Sequence, residues 1–151
     1  MRAIISLGSN IEPRAEYLRK AIAALDALPH TRLTAQSPVI ETDGVDVPEE
    51  FAAMKFLNQV AVFETALGAL EFSRKMHAIE DALGRRRGVR NGPRTIDIDL
   101  IDFGGIRMDG EELRLPHPRF RERAFVLEPL ALLGIDPSQI PDARPPAGNM
   151  V

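Results

Sequence analysis

Asp97 and Asp99, two residues apart in an otherwise apolar run, are the densest piece of chemistry in this sequence, which reads Asn-Gly-Pro-Arg-Thr-Ile-Asp-Ile-Asp-Leu from Asn91 to Leu100. In a strand, side chains i and i+2 share a face. Both carboxylates therefore project together, while Ile96, Ile98 and Leu100 fill the opposite face. Two close carboxylates raise each other's pKa unless a cation sits between them. Mg²⁺ takes such oxygen ligands, usually one or two carboxylates plus substrate phosphates. Just upstream, Arg85, Arg86, Arg87, Arg90 and Arg94 supply planar forks that bind phosphate bidentately. Metal ligands beside a crowd of guanidiniums suggest a polyphosphate substrate. The same alternation also describes a half-buried strand with a solvated acidic face, and Arg runs are commonly surface charge. On this motif alone both readings stand.

A second dense stretch is Leu115-Pro116-His117-Pro118-Arg119, followed by Arg121 and Arg123. Two prolines restrict the backbone around His117, which can hydrogen-bond a phosphate, move a proton, or serve as a structural hydrogen-bonder. Asn58 interrupts an apolar run. A buried amide needs partners, and it offers donor and acceptor edges either to a neighbouring loop or to a heterocycle. Phe56 and Phe125 have core packing as their default role and stacking on a planar ring as the alternative. Gly8-Ser9-Asn10 follows a strand but lacks the glycine spacing of a nucleotide fingerprint, and reads as a strand-to-helix turn. Glu80, one turn from Arg85, reads as half of a helix-surface ion pair, and His30 and His77 read as surface residues.

The elements that must hold these groups follow from periodicity and punctuation. Residues 3–7 form a short buried strand. Residues 14–28 repeat Leu18, Ala21, Ile22 and Leu25 at helical spacing, between Pro13 and Pro29. Residues 33–42 read as a second strand, with Pro38 implying an edge or a bulge. A long loop spans 43–55, a Val- and Phe-rich third strand 56–65, and a second helix 67–83, with Leu70, Met76, Ile79 and Leu83 along its stripe and Gly84 as its stop. An Arg-rich loop over 85–95 leads into a fourth strand at 96–103. Short strands follow near 106–108 and 113–115, then a helix over 125–133 interrupted or initiated near Pro129. The Pro-rich tail from 136 is expected to be loosely structured. Strand, helix, strand, strand, helix, strand is the ferredoxin-like split βαβ order (βαββαβ), an α+β fold with helices on one face of a mainly antiparallel sheet and additions at the C-terminus. The two long loops are where a site would be assembled.

Length and composition bound the function. At 151 residues, with 44% hydrophobic and 27% charged content, the chain fits one soluble domain spanning 1–151. A net charge of −3 argues against a general nucleic-acid footprint. With no Cys there is no disulfide framework or thiolate metal site. The start lacks a signal-peptide pattern and no run is long enough to cross a bilayer, so a cytoplasmic protein without membrane partners is expected.

Six runs occur together in order: Leu7-Gly8-Ser9-Asn10, Phe56-Leu57-Asn58, Gly84 with Arg85 to Arg87, Arg94 through Asp99, Leu115 through Arg119, and Arg123-Ala124-Phe125-Val126-Leu127. In register they closely resemble the 6-hydroxymethyl-7,8-dihydropterin pyrophosphokinases of folate synthesis, over about residues 3–133. The resemblance implies transfer of the β,γ-pyrophosphoryl group of ATP to the pterin hydroxymethyl oxygen, giving AMP, with two Mg²⁺ ions held by Asp97 and Asp99. Arg85 and Arg94 would join those aspartates in catalysis. Gly8, Thr42, Val45, Phe56, Asn58 and Phe125 would form the pterin site. Glu80, Ile98, His117, Arg119 and Arg123, with Arg85 and Arg94, would contact ATP. The family usually carries Trp where Asn91 stands, commonly a Pro after the residue matching Thr42, and an Arg-rich loop about one residue longer. A monomer without nucleic-acid partners is expected. The rival readings are an RNA-binding module on the same framework, which needs aromatics on an exposed sheet face, and a binding-only relative without turnover.

Overall fold

A computed structural model describes residues 1–43, 49, 55–84 and 95–140. Val45, Arg85, Asn91 and Arg94 lie outside the described residues. The elements are β1 (Arg2–Ser9), α1 (Arg14–Asp26), β2 (Thr31–Gln36), β3 (Ile40–Thr42), β4 (Phe56–Thr65), α2 (Ala69–Ala82), β5 (Asp97–Phe103), β6 (Met108–Asp109), β7 (Arg114–Leu115) and α3 (Ala124–Leu132). The apolar runs of β1, β4 and β5 are the centre and one edge of a sheet ordered β2-β4-β1-β5, with β3 also paired to β4. Every pairing in it is antiparallel. β6 and β7 form a separate two-stranded ladder. Among the described residues the result is a mixed α/β fold with three α-helices.

Strand alternation divides the apolar residues between two cores. Ala3, Ile5 and Leu7 of β1, Ala61 and Phe63 of β4, and Ile98 and Leu100 of β5 meet Leu18, Ala21 and Leu25 of α1 and Phe72 and Met76 of α2. Ile4, Val60, Val62 and Ile101 face the other way, against Val126 and Leu130 of α3. Fully burying a side chain such as Phe63 or Phe72 is worth roughly 1.5–3 kcal/mol. Two helices therefore cover one face and α3 covers part of the other, where the βαββαβ pattern anticipates helices on a single face. In α2 the buried line is Phe72, Met76 and Glu80, while Leu70 is exposed. Gly84, at φ +87°, takes the left-handed position that ends this helix.

The expected second strand is broken in two, and the break has a local cause. Pro38 has no N–H for a ladder. Ser37 replaces that ladder with its own groups: its N–H donates to Val60 O at 2.8 Å and its hydroxyl accepts from Val60 N–H at 2.9 Å. β3 then resumes on β4, pairing Ile40 with Asn58 and Thr42 with Phe56.

Candidate active site

The sheet face bearing α3 is apolar at one end and polar at the other. Across β5, β1 and β4 the polar end carries the rows Asp97–Gly8–Asn58 and Asp99–Ser6–Val60. Asp97 and Asp99 are half-buried on this face while Ile96, Ile98 and Leu100 fill the helix-side core. One extra residue on β5, where the register shifts opposite Ile4 and Ile5, lets Leu100 and Phe103 both face the helices while Ile101 turns toward α3.

Glu80 overturns its reading as a surface ion pair. Its side chain is 2% exposed, and both carboxylate oxygens are engaged. Oε2 accepts the Ile98 N–H at 2.7 Å, and Oε1 lies 2.8 Å from His77 Nδ1. β5 is an edge strand of the described sheet, so the carboxylate takes the place of a neighbouring strand for the backbone N–H lying between the two aspartates. Ile98 itself points into the core and offers the site only its backbone. A spacing signal was present in the sequence: Phe72, Met76 and Glu80 recur every four residues, which places Glu80 on the buried stripe.

His117 is fixed on the same open edge, its N–H donating to Ile101 O at 2.8 Å. Its Nδ1 accepts the Arg119 N–H at 3.1 Å, which leaves the neutral ring's proton on Nε2 as a donor. Burial, then Arg123, and more weakly Arg119, push its pKa down to about 4 against the opposing pull of Asp97. At neutral pH the ring is therefore an uncharged N–H donor. Beside it lies a cleft of about 280 Å³ lined by Ser73, Met76 and His77 of α2, Ile98, Asp99 and Leu100 of β5, and Leu113 and Arg114 near β7. Sequence reasoning missed this α2 wall; it read His77 as a surface residue, and the side chain is about half exposed while also lining the cleft.

On the other side of the aspartates Gly8 makes a floor. A Cβ built there would stand 3.1 Å from Asn58 Oδ1 and 3.6 Å from Phe56 Cδ1, so only glycine leaves that space open. Asn58 is buried, and its Nδ2 donates to Thr42 Oγ1. Phe56 and Phe125 are half-buried. Arg123 joins the two halves: Nη1 lies 3.6 Å from Asp99 Oδ2, and the guanidinium stands 5.5 Å from the Phe125 ring centroid. Arg119 instead turns its side chain toward Glu122, at 3.5 Å, and serves His117 through its backbone.

This donor set fits Mg²⁺ with phosphates. Two carboxylates on one face supply oxygens only, and among the described residues no group of three or more His, Cys, Asp or Glu could hold a metal. A hard cation here needs further oxygens from a substrate.

The family model for 7,8-dihydro-6-hydroxymethylpterin-pyrophosphokinase (HPPK) matches residues 4–134. The chain belongs to the HPPK family. The 2-amino-4-hydroxy-6-hydroxymethyldihydropteridine pyrophosphokinase of Bacillus subtilis is 43% identical over 129 residues, covering 85% of this chain and 75% of that protein. The enzyme of the same name from Pseudomonas aeruginosa is 39% identical over 143 residues, 95% of this chain and 86% of that one. A solved HPPK-DHPS in complex with substrates shares the fold, with a TM-score of 0.64 at 14% identity. It is longer, and the likeness covers 94% of this chain but 42% of that one. HPPK membership removes support from the RNA-binding alternative. No helix among the described residues is long and apolar enough to cross a membrane.

Proposed function

We propose how this chain carries out the reaction of the HPPK family, pyrophosphoryl transfer from ATP to hydroxymethyldihydropterin in folate synthesis. The observation that carries the proposal is the shared face: Asp97 and Asp99 stand in the same cross-strand rows as Gly8 and Ser6, between the Asn58 floor and the cleft beside His117. The pterin ring lies on Gly8, with Asn58 reading its polar edge and Phe56 and Phe125 flanking it. The nucleoside occupies the cleft, bounded by α2 and β7. His117 donates from Nε2 to a phosphate oxygen, and Arg123 adds a fixed positive charge next to Asp99.

Held this way, the hydroxymethyl oxygen faces the β-phosphorus of ATP. An O–P bond forms, the bond from that phosphorus to the α,β-bridging oxygen breaks, and AMP leaves with the oxygen. Asp97 and Asp99 would hold two Mg²⁺ ions, whose contribution is to neutralise developing charge and acidify the attacking hydroxyl. The residues' own work is positioning, which is most of what such a transfer requires. Arg85 and Arg94 are proposed to grip the polyphosphate, on the strength of the matching motif.

The strand order supports reading the frame as ferredoxin-like. A monomer working in the cytoplasm is proposed. The test is product identity: ATP, Mg²⁺ and the hydroxymethyl dihydropterin together give AMP and the pterin diphosphate. Formation of ADP, or AMP independent of the pterin, would sink the proposal. Asp97→Ala and Asp99→Ala should each abolish turnover with the fold intact, since neither belongs to an apolar core.

A further inference from the structure

We infer that Arg14 is a positioning residue for the pterin floor, acting from the opposite side of the sheet; the inference rests on the reading above. Arg14 opens α1, and its side chain is only 20% exposed. One nitrogen, Nη1, donates to Glu41 Oε2 at 3.0 Å and to the Lys55 carbonyl at 3.1 Å. Nε lies 3.4 Å from Glu12 Oε2. A single guanidinium thus joins the segment that follows β1, the tip of β3 and the start of β4.

The first of these follows the strand that ends just beyond Gly8, β3 carries Thr42, and β4 carries Phe56 and Asn58. Strand parity shows which side Arg14 works from. Glu41 pairs with Leu57, which packs into the helix-side core, whereas Thr42 pairs with Phe56 on the face of the floor. Arg14 therefore touches no pterin and acts on strand ends whose alternate residues do. β3 needs such a support, because three residues paired to β4 alone make a marginal strand. Its position sets Thr42 Oγ1, which orients the Asn58 amide, whose Oδ1 borders the space above Gly8. A displacement of β3 would pass directly into the polar edge that reads the ring. Among the described residues nothing comparable links Arg14 to the cleft beside His117.

The test compares the two substrates by calorimetry, titrating hydroxymethyldihydropterin in the presence of Mg²⁺ and a non-hydrolysable ATP analogue, and separately the analogue alone. Arg14→Met keeps the apolar stem and removes the donors. It should weaken pterin binding about tenfold while the analogue stays within about twofold of wild type, and Arg14→Lys should recover part of the loss. Glu41→Ala should give a smaller loss, because Glu41 is half exposed. Combined with Arg14→Met it should be less than additive. Unchanged pterin affinity with a lowered Tm would reduce Arg14 to a structural staple and overturn the inference. Equal weakening of both ligands, or strict additivity, would do the same. A wild-type chain that binds the analogue but no pterin would show that the underlying reading had failed, before any variant was compared.

Discussion

Replacing Glu80 separates its hydrogen bonds from its charge. In Glu80→Ala the buried Ile98 N–H loses its 2.7 Å acceptor, and among the described residues no further strand pairs with β5 on that side to replace it. An orphaned buried donor costs about 1–3 kcal/mol, and the lost methylene adds about 1 kcal/mol more. For a chain of this size each kcal/mol moves Tm by roughly 2–4 °C, so a fall of about 5–15 °C is expected. Glu80→Gln should behave differently. Its carbonyl still accepts from Ile98, and its amide can donate to His77 Nδ1 once the ring takes its other tautomer. The cost should then be about 1 kcal/mol, or roughly 2–4 °C. The functional readout is the Mg²⁺ dependence of AMP formation, because Ile98 lies between the two aspartates. Glu80→Ala should need about tenfold more Mg²⁺ for half-maximal rate, while Glu80→Gln stays within about threefold, as expected for loss of a partner that orients metal ligands. Scanning calorimetry and steady-state rates at graded Mg²⁺ measure both. Equal Tm values for the two variants, or a wild-type Mg²⁺ profile in Glu80→Ala, would refute the tether.

Two further outcomes follow from the same geometry. Gly8→Ala puts a methyl 3.1 Å from Asn58 Oδ1, a contact relieved by a few tenths of an ångström, so stability should change by less than about 1 kcal/mol while pterin affinity falls about tenfold; unchanged affinity measured by calorimetry would remove Gly8 from the floor. His117 has a folded pKa of about 4 against an ordinary 6.5, so between those values the unfolded chain binds a proton that the folded chain does not, and stability falls as pH drops through that window. The ceiling is about 3 kcal/mol, and the ring's partial exposure reduces it to about half. Denaturant midpoints of wild type and His117→Gln should converge from pH 7 toward pH 4, and a constant separation would contradict the burial of a neutral ring.

How much of this was legible in the chain depended on whether the signal was local. β4 matches its Val- and Phe-rich run, and the aspartate pair faces as the alternation from Ile96 to Leu100 requires. Ser37 was not legible as a ladder substitute, because its role depends on Val60, far away in sequence. Glu80 was misplaced by its nearness to Arg85 in sequence, though the spacing of Phe72, Met76 and Glu80 argued otherwise. The side chosen by α3 had no local signal: Ala-Phe-Val-Leu-Glu-Pro-Leu-Ala-Leu is apolar nearly all round, so no stripe says which face of a sheet it should cover. For the candidate site, the motifs from Asp97 to Arg123 named the residues, but only the cross-strand rows put Gly8 between Asn58 and Asp97.

The extra residue in β5 decides which change of length this strand can absorb. Upstream of it, odd-numbered positions belong to the site and even-numbered ones to the helix-side core; downstream, Phe103 occupies that core at an odd number. A substitution on either side disturbs one position. A one-residue deletion at Ile101 would leave a regular ladder, with Leu100 opposite Ile5 and Phe103 opposite Ala3 still on the helix side, at the cost of the side chain that turns toward α3. The strand's extra length therefore serves the α3 face, whereas the side taken by the carboxylate pair is set by the regular alternation upstream.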